Sequence, residues 1–324
     1  MIKVGILGCA NIAKRSLAPA FLAHPAFGLV AVASRSLDKA TEFINDVVGH
    51  DDPIAPFAYD DLIASPDIDL IYCPLPTGLH YEWVKKALLA GKHVLCEKSL
   101  ACNYAEVEDL VNTARQNHCF LMESFQFRFH PQNLYVKKLL ADNVIGGIRG
   151  LDVKFGFPPF PDGLKNIRYS KELGGGALLD SGAYTIKAST YLLGHDLSLK
   201  MATSHREGGI EVDLDGRLWL ERKDGVVSTT GYGFHNYYQC GYEIWGEKGK
   251  ITTSRAFTAK ADFAAEVKLE TSEGVKLEKF HADHFAALLD YVASKITARE
   301  YETEYAECLT QSRLLTQAQF LTND

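Results

Sequence analysis

The regular alternation of strand-like and helix-like stretches over the first 123 residues constrains the fold more than any other feature of the chain. Short apolar runs at 3–7, 29–34, 70–73, 93–96 and 120–123 alternate with helical spacing at 13–23, 37–47, 81–90 and 104–117. Strands and helices in that order build right-handed βαβ units, which assemble into a parallel sheet. Two of the helices carry boundary signals of their own. Gly91 suits a left-handed cap after the third helix, and Asn103 with Glu106 makes a capping-box pattern before the fourth.

After Glu123 the pattern changes. A helix at 132–141 and a strand near 151–157 lead through a proline-rich loop at 158–161 to Gly174, Gly175 and Gly176, and a helix is expected over 177–193. Strand-like segments follow near 197–204, 212–221, 226–232, 239–245 and 250–254, closed by helices at 283–296 and 304–322. Strands in succession with few helices between them imply an antiparallel or mixed sheet. A chain of 324 residues also exceeds the size at which a single core keeps growing, so two domains are expected, 1–123 and 124–324.

Charge and cysteine usage narrow the function. A net charge of -7 argues against broad nucleic-acid binding, which relies on clustered Lys and Arg. No apolar run approaches a membrane span, and Met1 leads straight into a strand without a targeting pattern, so neither a membrane nor a nucleic acid is an expected partner. The 7 cysteines are scattered and form no Cys-x-x-Cys pair, which reads as reduced thiols in a cytoplasmic protein. His281 and His284 lack further ligands nearby in sequence, and no metal is expected.

The chemistry concentrates at strand ends. The run at 93–96 stops on Glu97 and Lys98, and ligands of open parallel sheets bind beyond the carboxyl ends of strands, so both side chains are expected at the mouth of a crevice. A solvated strand end is the alternative. Where the first strand meets the first helix, Gly8-Cys9-Ala10-Asn11-Ile12-Ala13 offers backbone N–H groups and a helix dipole to a dinucleotide pyrophosphate. Ala10 replaces the middle glycine of the usual pattern, and a plain tight turn is the competing account.

At the end of the second strand, where an NAD site normally carries an acid, this chain has Ser34 and Arg35, with Lys39 one turn on. A guanidinium suits a 2'-phosphate, so the reading is NADP(H) over NAD(H), unless Arg35 is an ordinary surface charge. Cys73, Pro74 and Leu75 make a stiff turn suited to pass beneath a nicotinamide ribose, and His80 begins the next helix, where a structural histidine is the plainer account. In the second half, Asp180 and Tyr184 lie four apart and share a helix face just after three glycines that permit close backbone approach. A lone Tyr on an amphipathic helix is more often a core residue than a catalyst. The aromatic stretch at 232–238, Tyr237 within it, suits either stacking on a base or sugar ring or a subunit interface.

Taken together, these stretches resemble the glucose-fructose oxidoreductase / inositol dehydrogenase / rhizopine-catabolism (Gfo/Idh/MocA) family over essentially the whole chain, and within it the NADPH-dependent nucleotide-sugar 3-ketoreductases. The resemblance is carried by the loop at 8–13, by 74–76, 79–83 and 90–95, by Glu97-Lys98, by Asn166-Ile167-Arg168-Tyr169 and by 174–184. It implies an α/β chain with a Rossmann doubly wound parallel sheet over 1–123, and an α+β domain with an open, mainly antiparallel sheet over 124–324. The second domain would bind substrate and join copies into a homodimer or homotetramer.

The resemblance also assigns roles. Lys98 matches a lysine that contacts substrate oxygen and nicotinamide ribose, Tyr184 the acid/base position, and Asp180 the acid one turn before it. Cofactor contacts are implied at Gly8, Cys9, Ala10, Asn11, Ile12, Ser34, Arg35, Lys39, Cys73, Pro74, Leu75, His80, Glu97, Lys98 and Arg168, and substrate contacts at Lys98, Asp180, Tyr184 and Tyr237. Ser99 departs from the family's proline after the lysine, and serine neither fixes φ nor removes a donor. The implied reaction is reduction of a keto group on a nucleotide-linked deoxysugar, with hydride from NADPH and a proton from Tyr184. An NADP-dependent free-sugar or trans-dihydrodiol dehydrogenase is the alternative, and a non-catalytic NADP-binding regulator is the second.

Overall fold

The computed structural model describes residues 1–48 and 53–323. The chain divides into two compact units, the first comprising Met1–Ser124 and Phe285–Leu309, the second Phe125–His284 and Thr310–Asp324. A single boundary at 123/124 therefore needs correction: the chain changes unit there within a residue, but residues 285–309 pack with the first unit.

The first unit begins β1 (Ile2–Leu7), α1 (Ala18–Ala23), β2 (Phe27–Ala33), α2 (Leu37–Val48), β3 (Ala55–Phe57) and α3 (Tyr59–Ala64). It continues with β4 (Leu70–Cys73), α4 (Thr77–Leu89), β5 (His93–Glu97), α5 (Tyr104–Gln116) and β6 (Leu121–Ser124). All neighbours in the sheet are parallel, in the order β3-β2-β1-β4-β5-β6. The order reverses between β1 and β4, and ligands of such sheets bind at that switch point. All of β4 is buried, as expected of a strand covered on both faces.

β3 and α3 were not expected from the sequence. β3 is three residues long and contains Pro56, a residue that sheets tolerate at an edge, where the missing N–H faces no neighbour. α4 starts at Thr77 rather than 81, directly after Pro76, and Gly91 beyond its end has φ 75. Before α5, Asn103 Oδ1 accepts the Glu106 N–H at 3.0 Å, while Glu106 Oε2 accepts the Cys102 N–H at 3.1 Å, a capping box whose return bond lands one residue early.

The second unit contains α6 (Pro131–Ala141), β7 (Ile148–Gly156), α7 (Ala183–Leu193), β8 (Leu197–His205), β9 (Asp215–Arg222), β10 (Val227–Gly233), β11 (Gln239–Gly246), β12 (Gly249–Thr253), β13 (Ala265–Thr271) and β14 (Gly274–Phe280). α8 (His284–Ala298) and α9 (Glu302–Asn323) close the chain. The eight strands run β14-β13-β12-β11-β7-β10-β9-β8, with β7 and β10 parallel and every other pair antiparallel. The hairpin β13–β14 was also missed. Gly156 pairs with Gly233 and with Gln239, and Gly233 with Asp215, so the loops after β7 and β10 and before β9 and β11 gather at one end of this sheet. On one face α7 is buried almost throughout. On the other, alternate residues are left open, among them Met201, Trp219 and Trp245, which are 55%, 40% and 65% exposed.

Candidate active site

In the first unit the candidate residues sit on the turns that follow neighbouring strands of the sheet. Gly8, after β1, has φ 123, a left-handed value that favours glycine, and its N–H reaches the Ala33 carbonyl of β2 at 2.9 Å. A Cβ at Gly8 would come within 2.8 Å of Leu75 Cδ2, so the turn after β1 lies close against the Leu75 side chain of the turn after β4. Cys9, Ala10, Asn11 and Ile12 follow at the entry to a π-helical turn over Ala13–Leu17, all at least partly exposed. After β2, Ser34 is buried while Arg35 and Lys39 are exposed, and neither cation has a carboxylate partner among the described residues.

His80 ties two of these turns together. Its Nε2 lies 2.7 Å from the Leu75 carbonyl and its Nδ1 2.8 Å from the Ser99 carbonyl, with the ring fully buried. Burial holds its pKa below the ordinary imidazole value, against the pull of the two carbonyls. Cys73 Sγ, Cys96 Sγ and a ring nitrogen of His80 lie within 4.8 Å of one another, but both nitrogens already face carbonyl oxygens, so the group is not arranged around a cation.

Lys98 is half-buried after β5, and its peptide bond to Ser99 is cis. Ser99 is buried, and its carbonyl faces His80 Nδ1 at 2.8 Å in the turn where the resemblance leads one to expect a proline. Glu97, at the end of β5, is half-buried. Its carboxylate accepts the Tyr72 hydroxyl at 2.8 Å, and burial raises its pKa above the usual carboxylate value.

In the second unit the three glycines wrap the Arg168 carbonyl, which accepts the Gly176 N–H at 2.9 Å, and a Cβ on Gly175 would collide with that same oxygen. Gly174 and Gly176 have φ 72 and 112. The Asp213 carboxylate then accepts the Leu178 N–H at 2.7 Å, opening a π-helical turn, Leu178–Gly182, that runs into α7. Such turns concentrate at functional sites. Burial pushes the Asp213 carboxyl up to about 6, opposed by its backbone hydrogen bonds.

Asp180 lies on that turn and Tyr184 at the start of α7. The Asp180 carboxylate takes Arg168 Nε at 2.6 Å, and the Arg168 guanidinium lies 5.0 Å over the Phe160 ring. Arg168 thus orients Asp180, a role the sequence reading did not give it. Tyr184 is 8% exposed, with its ring edge-on to Phe125 and Phe155 at 5.4 and 5.2 Å and tilted on Phe257 at 5.8 Å. Gln126 Nε2 reaches the Tyr184 Oη at 3.5 Å and the Phe257 carbonyl at 3.4 Å. An amide that donates to the phenol oxygen leaves the phenol's own proton for another acceptor. Asp213 and Gln126 carried no sequence signal, because each works through a partner distant in the chain. Tyr237 stands 89% exposed on the loop between β10 and β11.

Such a pair of units, a dinucleotide-type parallel sheet followed by an open mixed sheet carrying a buried Tyr and a clamped Asp, defines a class of oxidoreductase, and comparison with known sequences agrees. Residues 2–125 match the Gfo/Idh/MocA oxidoreductase family model with its NAD-binding Rossmann fold, and residues 133–252 match the Gfo/Idh/MocA C-terminal domain. The chain belongs to the Gfo/Idh/MocA family. It is 40% identical over 269 residues, 83% of this chain and 79% of the other, to the dTDP-3,4-didehydro-2,6-dideoxy-alpha-D-glucose 3-reductase of Saccharopolyspora spinosa. To D-xylose 1-dehydrogenase (NADP(+)) 2 of Haloferax volcanii it is 33% identical over 279 residues, 85% and 83% of the two chains. Among solved structures, a 3-ketoreductase from Actinomadura kijaniata in complex with NADP and TDP-benzene superposes with a TM-score of 0.93 at 35% identity, covering 99% of this chain and 98% of that one.

Proposed function

We propose that this chain reduces a keto group on a deoxysugar carried by a nucleoside diphosphate, with NADPH as the reductant. The observation that carries the reading is the arrangement of Tyr184 and Asp180: a phenol boxed by aromatic rings, one helical turn from a carboxylate that Arg168 holds in place. The likeness to nucleotide-sugar 3-reductases supports the substrate class.

NADP(H) fits the residues of the first unit. The partly exposed turn at 9–12 brings backbone N–H groups to a pyrophosphate ahead of the following helix, and Ser34, Arg35 and Lys39 supply a hydroxyl and two cations for a 2'-phosphate. When bound, the nicotinamide supplies a hydride to the carbonyl carbon. Tyr184 donates its hydroxyl proton to the carbonyl oxygen, and the Lys98 ammonium stabilises the charge that develops there. Asp180 accepts hydrogen bonds from sugar hydroxyls, and Arg168 keeps it oriented. The rings around Tyr184 keep water from the phenol.

The test is consumption of NADPH with a panel of dTDP-linked 3-ketosugars against free sugars. Turnover with the nucleotide-linked ketones and not with free sugars is the expected result, whereas preferred oxidation of D-xylose by NADP+ overturns the reading in favour of the dehydrogenase alternative. We also infer a homodimer or homotetramer working in the cytoplasm. The open sheet face with Met201, Trp219 and Trp245 supports burial against a second copy, and the thiols of Cys9, Cys73, Cys96, Cys119 and Cys240 suit a reducing compartment. No helix among the described residues is long and apolar enough to cross a membrane. Light scattering that returned only a monomer at micromolar concentration would remove the oligomer.

A further inference from the structure

Arg255 is a cation that the catalytic reading leaves without a task. It follows β12 with φ 52, an uncommon value for a side chain other than glycine, and its side chain is exposed. Its guanidinium carbon lies 4.3 Å from the centre of the Tyr238 ring and 5.2 Å from that of Phe263. Nη1 donates to the Tyr238 Oη at 3.0 Å, and that oxygen also shares a hydrogen bond with Thr258 Oγ1 at 2.8 Å. Arg115, Arg149, Arg168 and Arg222 all have a carboxylate partner. Arg255 has none among the described residues, in a chain that carries 41 acidic side chains. A guanidinium lying against aromatic faces is pre-oriented and keeps N–H groups at its edge for an anion.

Its place in the second unit says which anion. Two residues on, Phe257 packs its ring on Tyr184, and the Phe257 carbonyl shares the Gln126 amide with the Tyr184 Oη. The Ala256 N–H binds the Cys240 carbonyl at 3.1 Å, joining this segment to β11 just beyond Tyr237 and Tyr238. The loop bearing Arg255 and the loop bearing Tyr237 therefore flank the wall of the proton donor. Exposed aromatic surface is available on both, with Phe263 37% and Tyr237 89% exposed, and Lys260 adds an exposed cation three residues before Phe263. A fixed cation next to open aromatic faces matches a diphosphate joined to a planar base.

We propose that Arg255 binds the diphosphate in a nucleotide subsite of the second unit, with Phe263 and Tyr237 stacking on the base. This subsite rests on the reading of the substrate as a nucleotide-linked sugar. It places recognition of the carrier nucleotide on the loop after β12 and the preceding aromatic loop, apart from the residues that handle the sugar.

The experiment is calorimetric titration of thymidine diphosphate and of inorganic pyrophosphate into the NADP-loaded enzyme, alongside steady-state kinetics with a dTDP-linked ketosugar. Arg255→Gln is expected to weaken both ligands by about tenfold or more, the scale of a lost charge-assisted contact. Phe263→Ala should weaken thymidine diphosphate and leave pyrophosphate unchanged. In both variants KM rises while kcat stays within about twofold, the pattern of lost uniform binding. Arg255→Lys keeps the charge and should recover part of the pyrophosphate affinity, which separates the loss from a folding defect. If the wild type binds thymidine diphosphate and Arg255→Gln binds it equally well, the subsite is wrong and the proposed reaction stands. A wild type that neither binds thymidine diphosphate nor turns over nucleotide-linked sugars overturns the reaction and the subsite together.

Discussion

The two units place their candidate site residues by different means. In the first, Gly8, Arg35, Leu75 and Lys98 lie on the turns after β1, β2, β4 and β5, so the order of a parallel sheet aligns them, and glycine geometry and carbonyl contacts set the spacing. In the second, Gln126, Arg168, Asp180, Tyr184 and Asp213 come from separate stretches, and side-chain contacts hold them. A site laid out by backbone should be robust to most side-chain changes and fragile at its glycine. A site laid out by side chains should show the reverse, with steep losses at single functional groups.

The largest expected effect tests the second kind. Tyr184→Phe removes one oxygen from a boxed ring and leaves the packing on Phe125 and Phe155 in place. Turnover is expected to fall by about two to four powers of ten, the range for a lost general acid, with NADPH affinity by fluorescence titration unchanged. Near-normal turnover would return Tyr184 to the core. The next effect tests the first kind. Arg35→Ala leaves the backbone cradle intact, so NADPH should still bind, but the ratio of kcat/KM for NADPH over NADH should drop by about tenfold or more, the scale of a lost charge-assisted contact. An unchanged ratio would mean that the backbone alone sets the cofactor preference.

This contrast also explains how much was legible in the sequence. The parallel sheet, the Gly8 turn and the lysine after β5 show in local patterns, because βαβ units put functional residues at strand ends by rule. β3 escaped notice because a three-residue edge strand containing Pro56 has no periodicity to detect. β13 and β14 escaped for another reason: they form an edge hairpin in which Lys268, Lys276 and Lys279 with Glu266, Glu270 and Glu278 dilute the alternation of Val267 and Leu269. Charged edges of this kind discourage pairing with other chains, at the cost of a readable pattern. The Asp180–Tyr184 spacing was visible on one helix, whereas the clamp by Arg168 and the cap by Asp213 required chain segments to meet in space.

Asp213 gives a smaller effect with a definite sign. Its carboxyl titrates at about 6 in the folded chain because of burial, against about 3.9 for an unperturbed aspartate. Between those values the folded state holds the proton more tightly than the unfolded state, so this residue's contribution to stability grows as pH falls from about 6 toward 4. Asp213→Asn does not titrate and still offers an oxygen to the Leu178 N–H. The melting temperature of the wild type relative to Asp213→Asn should therefore rise by a few degrees on going from pH 7 to pH 4.5. A difference independent of pH would show that the carboxyl is not perturbed, and that the helix cap is electrostatically like any other strand-end acid.

The smallest effect is expected at the residue whose sequence context looked most chemical. Glu97 adjoins Lys98, yet its carboxylate is taken up by Tyr72 and its pKa is raised by burial, which suits a structural acceptor. Glutamine has the same shape and keeps a carbonyl oxygen for the Tyr72 hydroxyl, so Glu97→Gln should change kcat by no more than about threefold, well short of a general-acid loss. The test is sharp because Lys98 is the neighbour in sequence. If Glu97→Gln matched Tyr184→Phe in kinetic cost, the acid at the end of β5 would be part of the chemistry, and the first unit would depend on a single side-chain group just as the second does.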